Sequence, residues 1–94
     1  MPMTQRVTLT FTTALRKSSR LQVPSIIRQE FKLDTTETLH VTVSPTNSIG
    51  TRERFYTKMR KDGGITIPQT TLALLKKDIP NIENQIIEVT LEVV

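Results

Sequence analysis

The chain contains no cysteine and no tryptophan, and only one histidine. Without cysteine there are no disulfides, no thiolate zinc sites and no cysteine nucleophiles. The chain also lacks an apolar run of roughly 18 residues, the length that a membrane-spanning helix needs. Residues 1–6 lack the apolar segment of a signal peptide. We therefore expect a cytoplasmic protein, nucleoid-associated if prokaryotic, that does not contact a membrane and builds its core without covalent or metal staples.

Apolar residues make up 36% of the 94 positions, which suffices for the core of one small domain covering 1–94. Lys and Arg number 13 against 9 Asp and Glu, so the formal net charge is +4. A charge of this sign favours an anionic partner.

Two related segments organise the sequence. Residues 62–68 read DGGITIP, and 18–24 read SSRLQVP. In each, a polar turn leads into an apolar, polar, apolar triplet, and a proline then opens a helix. Phe55 follows Phe11 by 44 positions, as Pro68 follows Pro24. The sequence is therefore a tandem repeat.

Each repeat is predicted to fold as β-β-α-β. Its first strand and short return strand are predicted to form a hairpin around the turn, followed by a helix and a strand of alternating apolar residues. In the first helix the apolar positions are Ile26, Ile27, Phe31 and Leu33. The boundaries are 6–43 for repeat one, 44–51 for a connector rich in turn formers, and 52–94 for repeat two.

The last strands are offset by 48 positions, since Ile87 aligns with Leu39. Repeat two therefore has four more residues than repeat one, and we expect them in a loop around Pro80 and Asn81. Neither repeat alone covers both sides of its apolar strands. The repeats are expected to pair about a pseudo-twofold axis.

Each repeat resembles the AbrB-type swapped-hairpin module, whose signature is a Gly-Arg-apolar-x-Ile-Pro run before a short helix. Here 19–24 read SRLQVP and 63–68 read GGITIP. A fused pair in one chain is similar to the arrangement of MraZ-like proteins. The resemblance implies a mainly β fold with two short helices, in which the two repeats form a swapped-hairpin (cradle-loop) β-barrel that binds double-stranded DNA.

By this resemblance Arg20 and Arg28 stand where family members carry DNA-contacting arginines, whereas repeat two has Gly64 and Leu72 at those positions. Either the contacts of repeat two have moved to other cations, or only repeat one binds strongly. We expect the former, with contacts at Arg54, Lys58, Arg60 and Lys61. Most cations precede or lie in the hairpins and most acids follow the helices, so one pole should be basic and the other acidic. The predicted DNA-binding residues are Arg16, Lys17, Arg20, Arg28, Arg52, Arg54, Lys58, Arg60 and Lys61.

Other interpretations stay open. The exposed cations can instead protect strand edges from aggregation. His40 lacks partners for a metal site or for base catalysis, Ser18 and Ser19 have no activating base, and Tyr56 either packs or stacks on a base. No enzyme activity and no cofactor are predicted.

The predicted function is DNA binding, as a transcriptional regulator or an architectural protein. One alternative is an antitoxin whose main partner is a toxin, although the chain ends on the last strand without the tail that such proteins use. The other alternative is a barrel that binds proteins only. Self-association is left open.

Overall fold

The computed structural model describes residues 8–46 and 50–94. Arg6, Val7 and connector residues 47–49 lie outside this range. The prediction of a mainly β fold with two short helices is confirmed. The elements are β1 (Thr8–Ala14), β2 (Arg20–Gln22), α1 (Ser25–Glu30), β3 (Thr38–Pro45), β4 (Glu53–Lys58), β5 (Gly64–Thr66), α2 (Gln69–Asp78) and β6 (Ile86–Val93), with a 3-10 turn at Lys17–Ser19.

The strands form two antiparallel sheets. One has four strands in the order β1-β6-β3-β4, and the other consists of β2 and β5. The first strand of each repeat pairs with the last strand of the other repeat, so the two repeats interleave. The resemblance predicted a closed barrel. The described strands do not form one continuous hydrogen-bonded ladder, because they are divided between two separate sheets.

The registers reproduce the sequence repeat. At the centre of the large sheet Thr42 lies opposite Thr90, its equivalent 48 positions later. In the small sheet Leu21 lies opposite Ile65, its equivalent 44 positions later. Each of these two ladders is therefore symmetric about a central pair of equivalent residues, which is the arrangement of a pseudo-twofold axis.

The core lies between the two sheets. Period-two alternation places one side of each long strand inward, and Phe11 and Phe55 are buried there, 8% and 7% exposed, as predicted. The small sheet contributes Leu21 of β2 and Ile65 of β5 to the same core. The fully buried side chains include Leu15, Leu21, Val23, Leu39, Val41, Val43, Ile65, Ile67, Leu75, Ile82, Ile87 and Leu91.

The predicted hairpins form only at their turns, where the Arg16 N–H donates to the Arg20 carbonyl at 3.0 Å and the Arg60 N–H donates to the Gly64 carbonyl at 2.9 Å. The first strand and the return strand of repeat one meet only at a bridge between Arg16 and Arg20, because β2 pairs with β5 along its length. This pairing brings Leu21 and Ile65 together beneath the large sheet, where both are fully buried. Each short strand thus gains a ladder partner from the other repeat.

The four additional residues of repeat two lie in a helix, which corrects the prediction of a loop insertion. α2 has ten residues and α1 has six. The segments that follow them, 31–37 and 79–85, are equal in length. Four residues add about one turn to an α-helix, so α2 is extended and the loop after it is not.

The burial predicted for α1 is only partly correct. Ile27 and Leu33 pack against the core, but Ile26 is 69% exposed and Phe31 is 39% exposed. The helix ends early, because Lys32 adopts a left-handed conformation with φ 52°. The Leu33 N–H then donates to the Arg28 carbonyl at 3.0 Å, a Schellman-type termination.

Neither α1 nor α2 in the described part of the chain is long and apolar enough to cross a bilayer.

Candidate nucleic-acid interface

The turns that follow β1 and β4 are equivalent and carry equivalent cations. Arg60 and Lys61 stand 44 positions after Arg16 and Lys17, and all four side chains are exposed. The last residue of each turn, Ser19 or Gly63, accepts a backbone hydrogen bond from the other repeat. The Ile67 N–H donates to the Ser19 carbonyl at 2.9 Å, and the equivalent Val23 N–H donates to the Gly63 carbonyl at 3.0 Å.

Asp62 organises the second turn. Its Oδ1 accepts the Gly64 N–H at 2.9 Å, an Asx-type bond that holds the turn closed. The side-chain amide of Gln22 donates to the Asp62 carbonyl at 2.6 Å. Gln22 lies in β2 of repeat one, so this bond fastens the turn of repeat two to a strand of repeat one.

The groups around Asp62 lower the pKa of its carboxyl. The Gly64 N–H lowers the pKa of the Asp62 carboxyl, and the guanidinium groups of Arg20 and Arg60 lower it further, while desolvation opposes them. Arg20 comes from repeat one and Arg60 from repeat two. The carboxylate therefore marks a place where cations of both repeats lie near one another.

Arg28 extends from α1 onto the same turn. Its Nε donates to the Val23 carbonyl at 3.2 Å. Its guanidinium also lies against Gly63, so closely that a Cβ added there would come within 2.5 Å of Nε. Gly63 has φ 86°, so this glycine serves both the left-handed turn and the close approach of the arginine.

Arg20 and Arg60 thus lie within electrostatic reach of Asp62, and Arg28 lies against the neighbouring Gly63. We call these five residues the Asp62 corner. Lys61 follows Arg60 directly in the same turn, whereas Arg16 and Lys17 belong to the first turn. Sequence reasoning missed Gln22 and Asp62 as turn-fastening residues, because their contact joins positions 40 apart in different repeats. No local pattern signals such a contact.

Two of the remaining predicted residues, Arg52 and Arg54, occupy a different surface. Arg52 and Arg54 line a shallow depression of about 240 Å³ on the outer side of the large sheet, together with Glu88. Glu92 lines a neighbouring depression with Arg54. The expected separation into a basic and an acidic pole is wrong on this surface, because β6 and β4 flank β3 and expose their polar residues on the same side. Lys58, exposed at the end of β4, lies two residues before the second turn.

His40 also lies on the outer side of the large sheet. Its Nδ1 is 3.5 Å from Oε1 of Glu92, and its ring centroid is 4.8 Å from that of Tyr56. The Tyr56 side chain is 66% exposed. Within 8–46 and 50–94, no three His, Cys, Asp or Glu side chains are grouped so that they could hold a metal ion.

No protein-family model matches the chain, and no curated protein matches its sequence. The fold is similar to the solution structure of PHS018 from Pyrococcus horikoshii, with a TM-score of 0.67 and 18% sequence identity. The match covers 87% of this chain and 86% of that one. At this identity the similarity concerns the fold alone, and it extends across both repeats.

Proposed function

We propose that the chain is a duplex-DNA-binding protein of the swapped-hairpin type, similar to the AbrB family, and that it acts in the cytoplasm as a transcriptional regulator or an architectural protein. The interleaved strands support the swapped-hairpin assignment, since each repeat completes the large sheet of the other. The observation that carries the DNA-binding proposal is that Arg20 and Arg60, which come from different repeats, lie within electrostatic reach of Asp62, while Arg28 lies against the neighbouring Gly63.

Cations placed in this way suit a polyanionic backbone. Each phosphate neutralised by an Arg or Lys releases condensed counterions, and this release supplies most of the non-specific affinity. The turns offer Arg16, Lys17, Arg60 and Lys61 for this purpose, at equivalent positions of the two repeats. Guanidinium groups additionally donate to base edges in a groove, which adds sequence selectivity.

The outer side of the large sheet is expected to contribute less. Arg52 and Arg54 share it with Glu88 and Glu92, whose carboxylates repel phosphates. The proposed interface therefore consists of the two turns, the Asp62 corner and the neighbouring Lys58.

Mobility shifts of a labelled duplex at several salt concentrations test the proposal. If about five or six phosphates are contacted, the logarithm of the binding constant should fall with the logarithm of salt concentration with a slope of roughly −4 to −6. Replacing Arg16, Lys17, Arg60 and Lys61 by Gln should flatten this slope by about one unit per lost contact.

Replacing Arg52 and Arg54 by Gln is the control, matched in charge to replacing the two cations of a single turn, because these exposed arginines lie outside the proposed interface. That variant should bind nearly as tightly as the natural chain. Thermal melting should show little change for either variant, since exposed charges contribute little to stability. Absence of DNA binding, or binding indifferent to salt, would contradict the proposed function.

A further inference from the structure

The repeats are equivalent in their turns but differ beside them. Arg20 and Arg28 of repeat one correspond to Gly64 and Leu72 of repeat two. Leu72 is partly buried and packs against the core, whereas Arg28 lies on Gly63 of the opposite turn. One side of the pseudo-twofold axis therefore carries two arginines that the other side lacks.

Asp62 adds to this asymmetry. Its equivalent in the first turn is Ser18, a residue without charge. The Asp62 carboxylate lies near Arg20 and Arg60 and accepts the Gly64 N–H. The Asp62 corner thus combines a carboxylate with guanidinium groups, a combination that its pseudo-symmetric counterpart does not repeat.

Arg28 is held in place rather than free in solvent. The Nε–H bond to the Val23 carbonyl and the contact with Gly63 restrict its guanidinium plane, yet that bond uses only one of several N–H donors. A guanidinium that is positioned before binding loses less side-chain entropy when it meets a base edge or a phosphate.

These differences matter for the kind of DNA that fits. A palindromic site presents two identical halves and suits a reader with two identical sides. Here Arg16, Lys17, Arg60 and Lys61 are arranged equivalently and suit the phosphates, which carry no sequence information. Only one side has the additional arginines that suit base edges.

We propose that the chain binds a non-palindromic duplex site in a single orientation, with the Asp62 corner reading one half-site and the opposite side contacting phosphates only. The inference rests on the proposed function. It extends that function from DNA binding to the class of site and to the residues that set its polarity.

Directed cleavage tests the orientation. Because the chain has no cysteine, Ser25→Cys and Gln69→Cys each create a unique attachment point for an iron–EDTA reagent. Both residues are exposed, and they are equivalent first residues of α1 and α2. On a duplex selected from a random pool, the two conjugates should cut at opposite ends of the site. The Ser25→Cys conjugate should always cut at one end and the Gln69→Cys conjugate at the other.

Equal cutting at both ends by each conjugate, or a palindromic selected consensus, would overturn the inference while leaving DNA binding intact. If the unmodified chain shifts no duplex from the pool, the proposed function falls and the inference falls with it. The two failures are therefore distinguishable.

A symmetrised chain tests the residues. Arg20→Gly with Arg28→Leu gives repeat one the residues of repeat two at the two positions that carry the additional arginines. Reselection from the random pool with this variant should yield a weaker consensus without polarity, because neither side then carries the additional arginines. We expect a loss of about tenfold or more in affinity for the original site.

The matched control is Lys76→Ala with Lys77→Ala, which removes the same charge from the last turn of α2. It should keep the original asymmetric consensus. Thermal melting shows whether each variant is folded. If the folded symmetrised chain keeps the asymmetric consensus, Arg20 and Arg28 do not set the polarity and the assignment is wrong.

Discussion

Ser19 and Gly63 occupy equivalent turn positions, and both have left-handed backbones, with φ 59° and 86°. Such a conformation costs a residue with a Cβ about 1–2 kcal/mol, and glycine avoids most of that cost. Ser19→Gly should therefore raise the free energy of unfolding by roughly 0.5–1 kcal/mol, once the greater freedom of glycine in the unfolded chain is included. Urea denaturation measures the change.

The matched variant at the equivalent position is Gly63→Ala. It should destabilise the fold, because its Cβ meets both the left-handed backbone and the Arg28 guanidinium. A destabilising effect of Ser19→Gly would show that the serine side chain is needed in its turn.

Asp62 contributes to stability in a way that depends on pH. Its pKa is lowered in the folded state, first by the Gly64 N–H. Its stabilising contribution should be complete above its ordinary pKa of about 4 and should disappear as the pH falls through the lower folded value. The difference in melting temperature between the natural chain and Asp62→Asn should therefore be constant above about pH 4 and shrink below it.

A difference that disappears between about pH 6 and 8 would point to a different group. Ser44→Ala is a suitable control, because its side chain donates to the Thr51 carbonyl and does not titrate in this range.

Among the elements, β1 and β4 show what alternation can predict. Phe11 lies opposite Val89, and Phe55 lies opposite Val41, with all four side chains buried. Phe11→Ala or Phe55→Ala should cost about 3–5 kcal/mol of unfolding free energy, because each leaves a cavity between the sheets. Thr12→Ala changes the exposed neighbour on β1 and should have little effect. Equal effects of Phe11→Ala and Thr12→Ala in urea denaturation would contradict the assigned facing.

The short elements were harder to predict. A three-residue strand such as β2 has too few alternating positions to indicate its partner, so the sequence suggested a local hairpin where β5 is the real neighbour. The extension of α2 was missed because Pro80 and Asn81 suggested a loop insertion. The sequence also did not indicate that α1 ends at a left-handed Lys32, a position that glycine usually occupies.

For the whole molecule, interleaving makes the repeats depend on each other. β1 pairs with β6 of the other repeat, and β4 pairs with β3. We therefore expect each repeat produced alone to be largely unfolded, whereas a chain cleaved at a protease site inserted between residues 46 and 50 should stay folded and associated. Circular dichroism of the isolated repeats and size exclusion of the cleaved chain test this. A cooperative unfolding transition in either isolated repeat would contradict it.

The sequence alone determined the side of each long strand that faces the core, because period-two alternation of apolar residues encodes facing directly. It also determined the repeat offset and the positions of the basic turns. Only the tertiary structure decided which strands pair, that Arg28 of one repeat lies on Gly63 of the other, and that Glu88 shares a surface with Arg52 and Arg54. The physical reason is that alternation is a local property of the chain, whereas the choice of partner depends on contacts between residues tens of positions apart.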